Sequence, residues 1–111
     1  MRTRLMPFAM LMLTLGLAAP AIAQQKPLRE PDVIFVPTPA EVVTAMLKLA
    51  NVTAKDLVDD IGCGDGMIVT AAAKEFGAHS VGIDINPVRV KEANERVQKA
   101  GVTDKVRISV P

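Results

Sequence analysis

Residues 58–67 read VDDIGCGDGM, with glycines at 62, 64 and 66 directly after a short apolar run that ends in two aspartates. This spacing constrains the fold more than any other feature. Glycine adopts left-handed backbone angles and brings no Cβ into a turn, so three at alternate positions suit a sharp loop that another group approaches closely. A strand before such a loop and a helix after it would put the turn at the C-terminal edge of a parallel sheet, where open α/β folds bind ligands. The neighbouring residues fit that arrangement. Residues 56–61 (DLVDDI) have strand length, and residues 67–76 (MIVTAAAKEF) carry the alanines of a helix packed closely on a sheet, with Gly77 placed to close it.

The alternation extends in both directions. Over 38–50, Thr38 is placed as an N-cap, Pro39 suits the first helical position and Glu41 completes a capping box. Val42, Val43, Met46, Leu47 and Ala50 then share one helical face. Residues 80–85 (SVGIDI) read as a second strand, with Asp84 near its C-terminal end. A third helix follows, capped by Asn86, begun by Pro87, apolar at Val90, Ala93, Val97 and Ala100, and ended by Gly101. On its exposed side Glu92 with Arg96 and Glu95 with Lys99 are acid-before-base pairs four apart, each contributing about 0.2–0.5 kcal/mol. Val106, Ile108 and Val110 make a third strand. Helix, strand, helix, strand, helix, strand predicts an α/β fold, a Rossmann-like three-layer αβα parallel sheet with right-handed crossovers and about three strands. That is half of a doubly wound domain. The first strand's inner edge is then unpaired, so a missing C-terminal half, a partner or self-association is expected to complete the sheet.

The first 23 residues are a separate matter. Arg2 and Arg4, an apolar stretch and the small-x-small sequence Ala21, Ile22, Ala23 have the layout of a secretory signal peptide cleaved after Ala23. A stable membrane span is not expected. The prolines leave only residues 8–19 uninterrupted, roughly 18 Å of helix against a hydrocarbon core about 30 Å thick. Thr3 separates the two arginines, which excludes a twin-arginine signal, and no cysteine lies near the cleavage site to carry a lipid. Residues 24–37 contain three prolines and little periodicity and read as an extended leader, so 38–111 is the expected domain. The leader is given no packing role.

Charge directs the chain to no class of partner, since 13 Lys and Arg stand against 12 Asp and Glu; nucleic acid is not indicated. The single cysteine, Cys63, forms no internal disulfide.

A glycine loop of this kind implies a ligand, and Asp84 suggests a nucleotide. It lies 18 residues after Gly66 at the tip of the next strand, where a carboxylate accepts hydrogen bonds from a ribose diol. The dinucleotide fingerprint G-x-G-x-x-G/A would require a small residue at 67, which is methionine, and a phosphate-binding Walker loop would require a lysine that is not there. The segment DDIGCGDG followed by VGIDIN resembles the first two motifs of class I S-adenosylmethionine-dependent methyltransferases. The likeness runs over roughly residues 38–108, including the TPAEVVTAML helix that precedes the loop in a bacterial and archaeal subset.

The resemblance implies S-adenosylmethionine as cofactor. By position, Gly62, Cys63, Gly64 and Gly66 match the main-chain wall around its methionyl part and ribose, and Asp60 the acid that orients the loop and the cofactor's ammonium. Asp84 matches the ribose-binding acid and Ile85 the apolar neighbour that packs on adenine. Asp59 departs from the pattern, which usually has an apolar or aromatic residue there. Similar short methyltransferases that begin with a T-P-x-E helix include protein-lysine modifiers, so a protein lysine is the expected acceptor. A non-catalytic nucleotide-binding module and an NAD-binding oxidoreductase fragment remain the alternatives.

Two further residues invite chemistry. Cys63 lies near a helix N-terminus, which lowers a thiol pKa and suits a nucleophile; the resemblance makes it a loop residue instead. His79 is the only histidine, placed in the turn before the second strand, and one His with one Cys has no metal-site spacing. Export and a cofactor made chiefly in the cytosol pull in opposite directions, with cytoplasmic residence expected if the signal is not used.

Overall fold

The computed structural model describes residues 29–111. The expected signal peptide at 1–23 and the start of the expected leader lie outside the described residues. The elements are α1 (Ala40–Leu49), β1 (Leu57–Ile61), α2 (Met67–Phe76), β2 (His79–Ile83), α3 (Pro87–Ala100) and β3 (Val106–Ser109). The strands form one parallel sheet in the order β1-β2-β3, with Leu57 opposite His79 and Ser80 opposite Val106. This is the expected Rossmann-like α/β arrangement, with each strand joined to the next by a helix.

Strand alternation sorts the side chains into two faces. Val58 of β1 packs with Val43 and Leu47 of α1 and Ala72 of α2. Val106 and Ile108 of β3 pack with Ala73 of α2 and Val97 of α3. Helix α2 is therefore the middle of the helical layer, and its adjacent alanines look into two clusters. Small side chains there let the helix lie close to the strands, and Ala72 and Val69 are fully buried. Among the described residues the other face carries no helix, and it exposes Leu57 (62%) and Ile61 (86%) of β1. Asp59 lies between them and is likewise exposed.

Local expectations hold unevenly. The caps of α3 are as predicted, since the Asn86 side chain accepts from the Val88 amide at 3.0 Å and Gly101 ends the helix in the left-handed region. Helix α1 differs. It begins at Ala40 with Pro39 at the N-cap, and the Pro39 carbonyl accepts from both Val42 and Val43 amides, so Thr38 does not cap. Its buried stripe is only Val43 and Leu47, while Val42 and Met46 are 48% and 42% exposed. The predicted pairs on α3 are also replaced: Glu92 binds Arg89 at 2.6 Å and Glu95 lies 4.0 Å from Lys91. Arg96 reaches off its own helix to Asp65.

Candidate functional site

The site is assembled where β1 and β2 end. The Ile83 carbonyl accepts from the Gly62 amide at 2.7 Å and from the Cys63 amide at 3.0 Å, which ties the start of the glycine loop to the neighbouring strand. One residue on, the Asp84 carboxylate accepts from the Gly64 amide at 2.8 Å through Oδ2 and from the Asn86 amide at 2.8 Å through Oδ1. The loop and the carboxylate are therefore parts of one structure. A third tie comes from α3, where Arg96 donates to the Asp65 carbonyl at 2.9 Å and to its carboxylate at 2.6 Å.

The three glycines, which share left-handed φ angles of +89°, +55° and +78°, have different neighbours. A Cβ on Gly62 would meet nothing within 4 Å. On Gly64 it would overlap the Phe35 ring, and on Gly66 it would lie 2.8 Å from the Ala93 side chain. Only Gly62 leaves space where a side chain would project. The space at Gly66 lets α3 pack against the loop, and that at Gly64 is taken by an aromatic ring from the leader. The missing side chains thus make room for different things, a packed neighbour at Gly64 and Gly66 and open space at Gly62.

A cleft of about 730 Å³ lies over this loop, within the usual range for small-molecule sites. Gly62, Gly64, Asp84 and Ile85 line it, together with Phe35 and Arg89. The other predicted residues, Asp60, Cys63 and Gly66, lie outside its lining. A groove of about 450 Å³ between α2 and α3 shares no residue with the cleft and is bordered by charges of both signs, among them Lys74, Glu75, Glu95 and Lys99.

Beneath the loop, burial and then the nearby Asp84 charge push the Asp60 carboxyl above its ordinary value. Burial, followed by the charges of Asp60 and Asp84, pushes the Cys63 thiol up to about 11. The expected lowering at a helix N-terminus is overridden. Cys63 is 6% exposed, and its sulfur lies 2.9 Å from where a Cβ on Gly82 would stand, so the side chain is packed into the sheet. His79 is exposed at the first position of β2.

Phe35 and Arg89 were not legible as site residues. The Arg89 guanidinium stands 4.1 Å from the centre of the Phe35 ring, a cation–π contact. The one available signal was the lone aromatic in a proline-rich leader.

The family model described as mycolic acid cyclopropane synthetase matches residues 39–111. The chain belongs to this family, among the class I S-adenosylmethionine-dependent methyltransferases. A protein-lysine N-methyltransferase of Saccharolobus islandicus is 47% identical to this methyltransferase chain over 79 residues, 70% of the chain and 49% of the relative. A ribosomal protein L11 methyltransferase of Escherichia coli O8 is 33% identical over 72 residues, 61% of the chain and 25% of the relative. The crystal structure of an RNA methyltransferase from Salinibacter ruber in complex with S-adenosyl-L-homocysteine superposes with a TM-score of 0.67 at 47% identity, over 68% of the chain and 50% of that protein. The methyltransferase chain thus spans half or less of the length of these relatives. With the family settled, the NAD-binding alternative is not favoured.

Proposed function

We propose that this chain is the cofactor-binding half of an S-adenosylmethionine-dependent methyltransferase that modifies protein lysines. The hydrogen bond from Gly64 to Asp84 carries the reading, because it joins the glycine loop and the carboxylate at one cleft. Each Asp84 oxygen accepts one main-chain N–H, and a carboxylate oxygen has two acceptor positions, so one remains on each for the two hydroxyls of a ribose. Gly62 borders the amino-acid part of the cofactor with bare main chain, and Ile85 offers adenine an apolar surface. Asp60, whose carboxyl is pushed above its ordinary value by burial and then by the Asp84 charge, is the acid assigned to the cofactor's ammonium. The bound cofactor supplies a methyl group already activated on a sulfonium. The residues of this chain therefore bind and orient, and positioning is their main contribution. A lysine arrives protonated at neutral pH and also needs a base to remove that proton.

The Saccharolobus relative supports the lysine acceptor. Calorimetry on the purified chain with S-adenosylhomocysteine and, separately, NAD tests the cofactor. Binding of the former alone, lost in Asp84→Ala, is expected, and binding of NAD alone would sink the proposal. Labelled methyl transfer to bulk protein but not to RNA tests the acceptor.

The exposed sheet face with Leu57 and Ile61 is completed by further polypeptide, as the half-length match supports. Light scattering separates self-association, which predicts a dimer, from completion by a C-terminal half, which predicts a monomer. The chain is exported and cleaved after Ala23. Mass spectrometry should find Gln24 as the mature N-terminus; an intact N-terminus found solely in the cytosol would end the export claim.

A further inference from the structure

Residues 31–36 cross one side of the cleft as a strap without helix or strand. Most of the strap is open to water, with Val33, Ile34 and Val36 between 71% and 86% exposed. Phe35, at 37%, is its least exposed large side chain. Its ring fills the place where a side chain on Gly64 would stand and lies 4.1 Å from the Arg89 guanidinium. Arg89 spends one terminal nitrogen on Glu92 at 2.6 Å, while its Nε is buried with no hydrogen-bond partner among the described residues. Both side chains line the same cleft as Asp84 and Ile85.

We infer that Phe35 and Arg89 are cofactor-contacting residues that wall the cleft lined by Gly62, Asp84 and Ile85. The inference rests on the cofactor reading above and adds two residues to it. The ring supplies apolar surface, and the Arg89 guanidinium backs it at 4.1 Å. Because the strap is seated chiefly by one side chain, it lifts to admit the ligand at small cost and reseats when the ligand fills the cleft. Removing the ring should then speed ligand escape more than it slows entry.

The composition offers a direct probe. The chain contains no Trp and no Tyr, so Phe35→Trp introduces a single indole whose emission reports on the strap alone. Titration of the full chain carrying Phe35→Trp with S-adenosylhomocysteine should shift or quench the emission saturably, with a midpoint matching calorimetry on the unaltered chain. Phe35→Ala and Arg89→Ala should each weaken binding by tenfold or more, mainly through faster dissociation, with an unchanged circular-dichroism spectrum, and Phe35→Leu should recover part of the loss. Binding by the unaltered chain with no emission change in Phe35→Trp, and Phe35→Ala affinity within twofold, would overturn the inference while leaving the cofactor reading intact. Tighter binding by Phe35→Ala would also overturn it, since the ring would then be a plug. Failure of the unaltered chain to bind at all would remove the cofactor reading and this inference together.

Discussion

The amide of Gly64 donates to Oδ2 of Asp84 across 2.8 Å, so the floor of the cleft is made by two residues from different strand ends. Asp84→Ala removes that acceptor and leaves the Gly64 and Asn86 amides without their partner. A hydrogen bond to a charged group is worth about 1.5–3 kcal/mol, so S-adenosylhomocysteine affinity should fall at least ~10-fold and stability should fall as well. Asp84→Asn keeps one acceptor oxygen and should lie between. Calorimetry with thermal melts checks both, and affinity unchanged in Asp84→Ala would remove the residue from the site.

Gly62 and Gly66 separate ligand space from packing space. Gly66→Ala places a methyl 2.8 Å from the Ala93 side chain at φ +78°, adding overpacking of about 1–3 kcal/mol to the cost of a left-handed alanine, and it should lower the melting temperature strongly. Gly62→Ala meets open space, so it should cost only the backbone term of about 1–2 kcal/mol while hindering ligand entry. Equal melting temperatures for the two variants would contradict this division.

Asp60 opposes function to stability. Its carboxyl is raised by burial and by Asp84, so its favourable contribution to folding is present below the ordinary 3.8 and is lost as pH rises through the folded value. Asp60→Asn should therefore melt higher than the unaltered chain at neutral pH, with the difference fading below about pH 4, and should bind cofactor more weakly. Melts across this range test the sign, and a variant less stable at pH 7 would refute it.

Cys63 should be inert. With its thiol pushed up to about 11, it should react with a disulfide reagent far more slowly at pH 8 than the same thiol in denaturant. The folded chain holds this proton after the unfolded chain loses its own. The associated stability is complete below about 9 and disappears as pH rises through about 11, a dependence that Cys63→Ala should flatten. Reaction at the rate of a free thiol would show that the side chain is accessible.

Arg96→Ala releases the Asp65 carbonyl and carboxylate together. The loss should destabilise the fold by about 1–3 kcal/mol and weaken ligand binding modestly by loosening the loop. Arg96→Lys should restore the charge without the paired geometry and recover only part of the loss. Hydrogen exchange at the Gly64 amide gives the local readout.

Local rules served where local forces decide. Glycine spacing and the period of the apolar residues were enough for the strand, loop and helix order, because β1, α2 and β2 are contiguous and their pattern is set by which face meets the sheet. Long-range competition was not legible. Arg96 leaves the neighbour predicted by helical spacing because Asp65 offers it two acceptors. Val42 and Met46 match the helical period yet stay exposed, since α1 meets its neighbours along a stripe only as wide as Val43 and Leu47. The contact of Phe35 with Gly64 spans 29 positions, and nothing in the leader's own periodicity announces it.

That contact also ties two positions together through inheritance. Once an aromatic ring occupies the hollow at residue 64, any side chain there must first evict the ring, and loss of the ring relaxes the demand for glycine. Lineages that drop the ring should face at residue 64 only the cost of its left-handed backbone, whereas Gly66, answerable also to Ala93, should be held whatever happens to the leader.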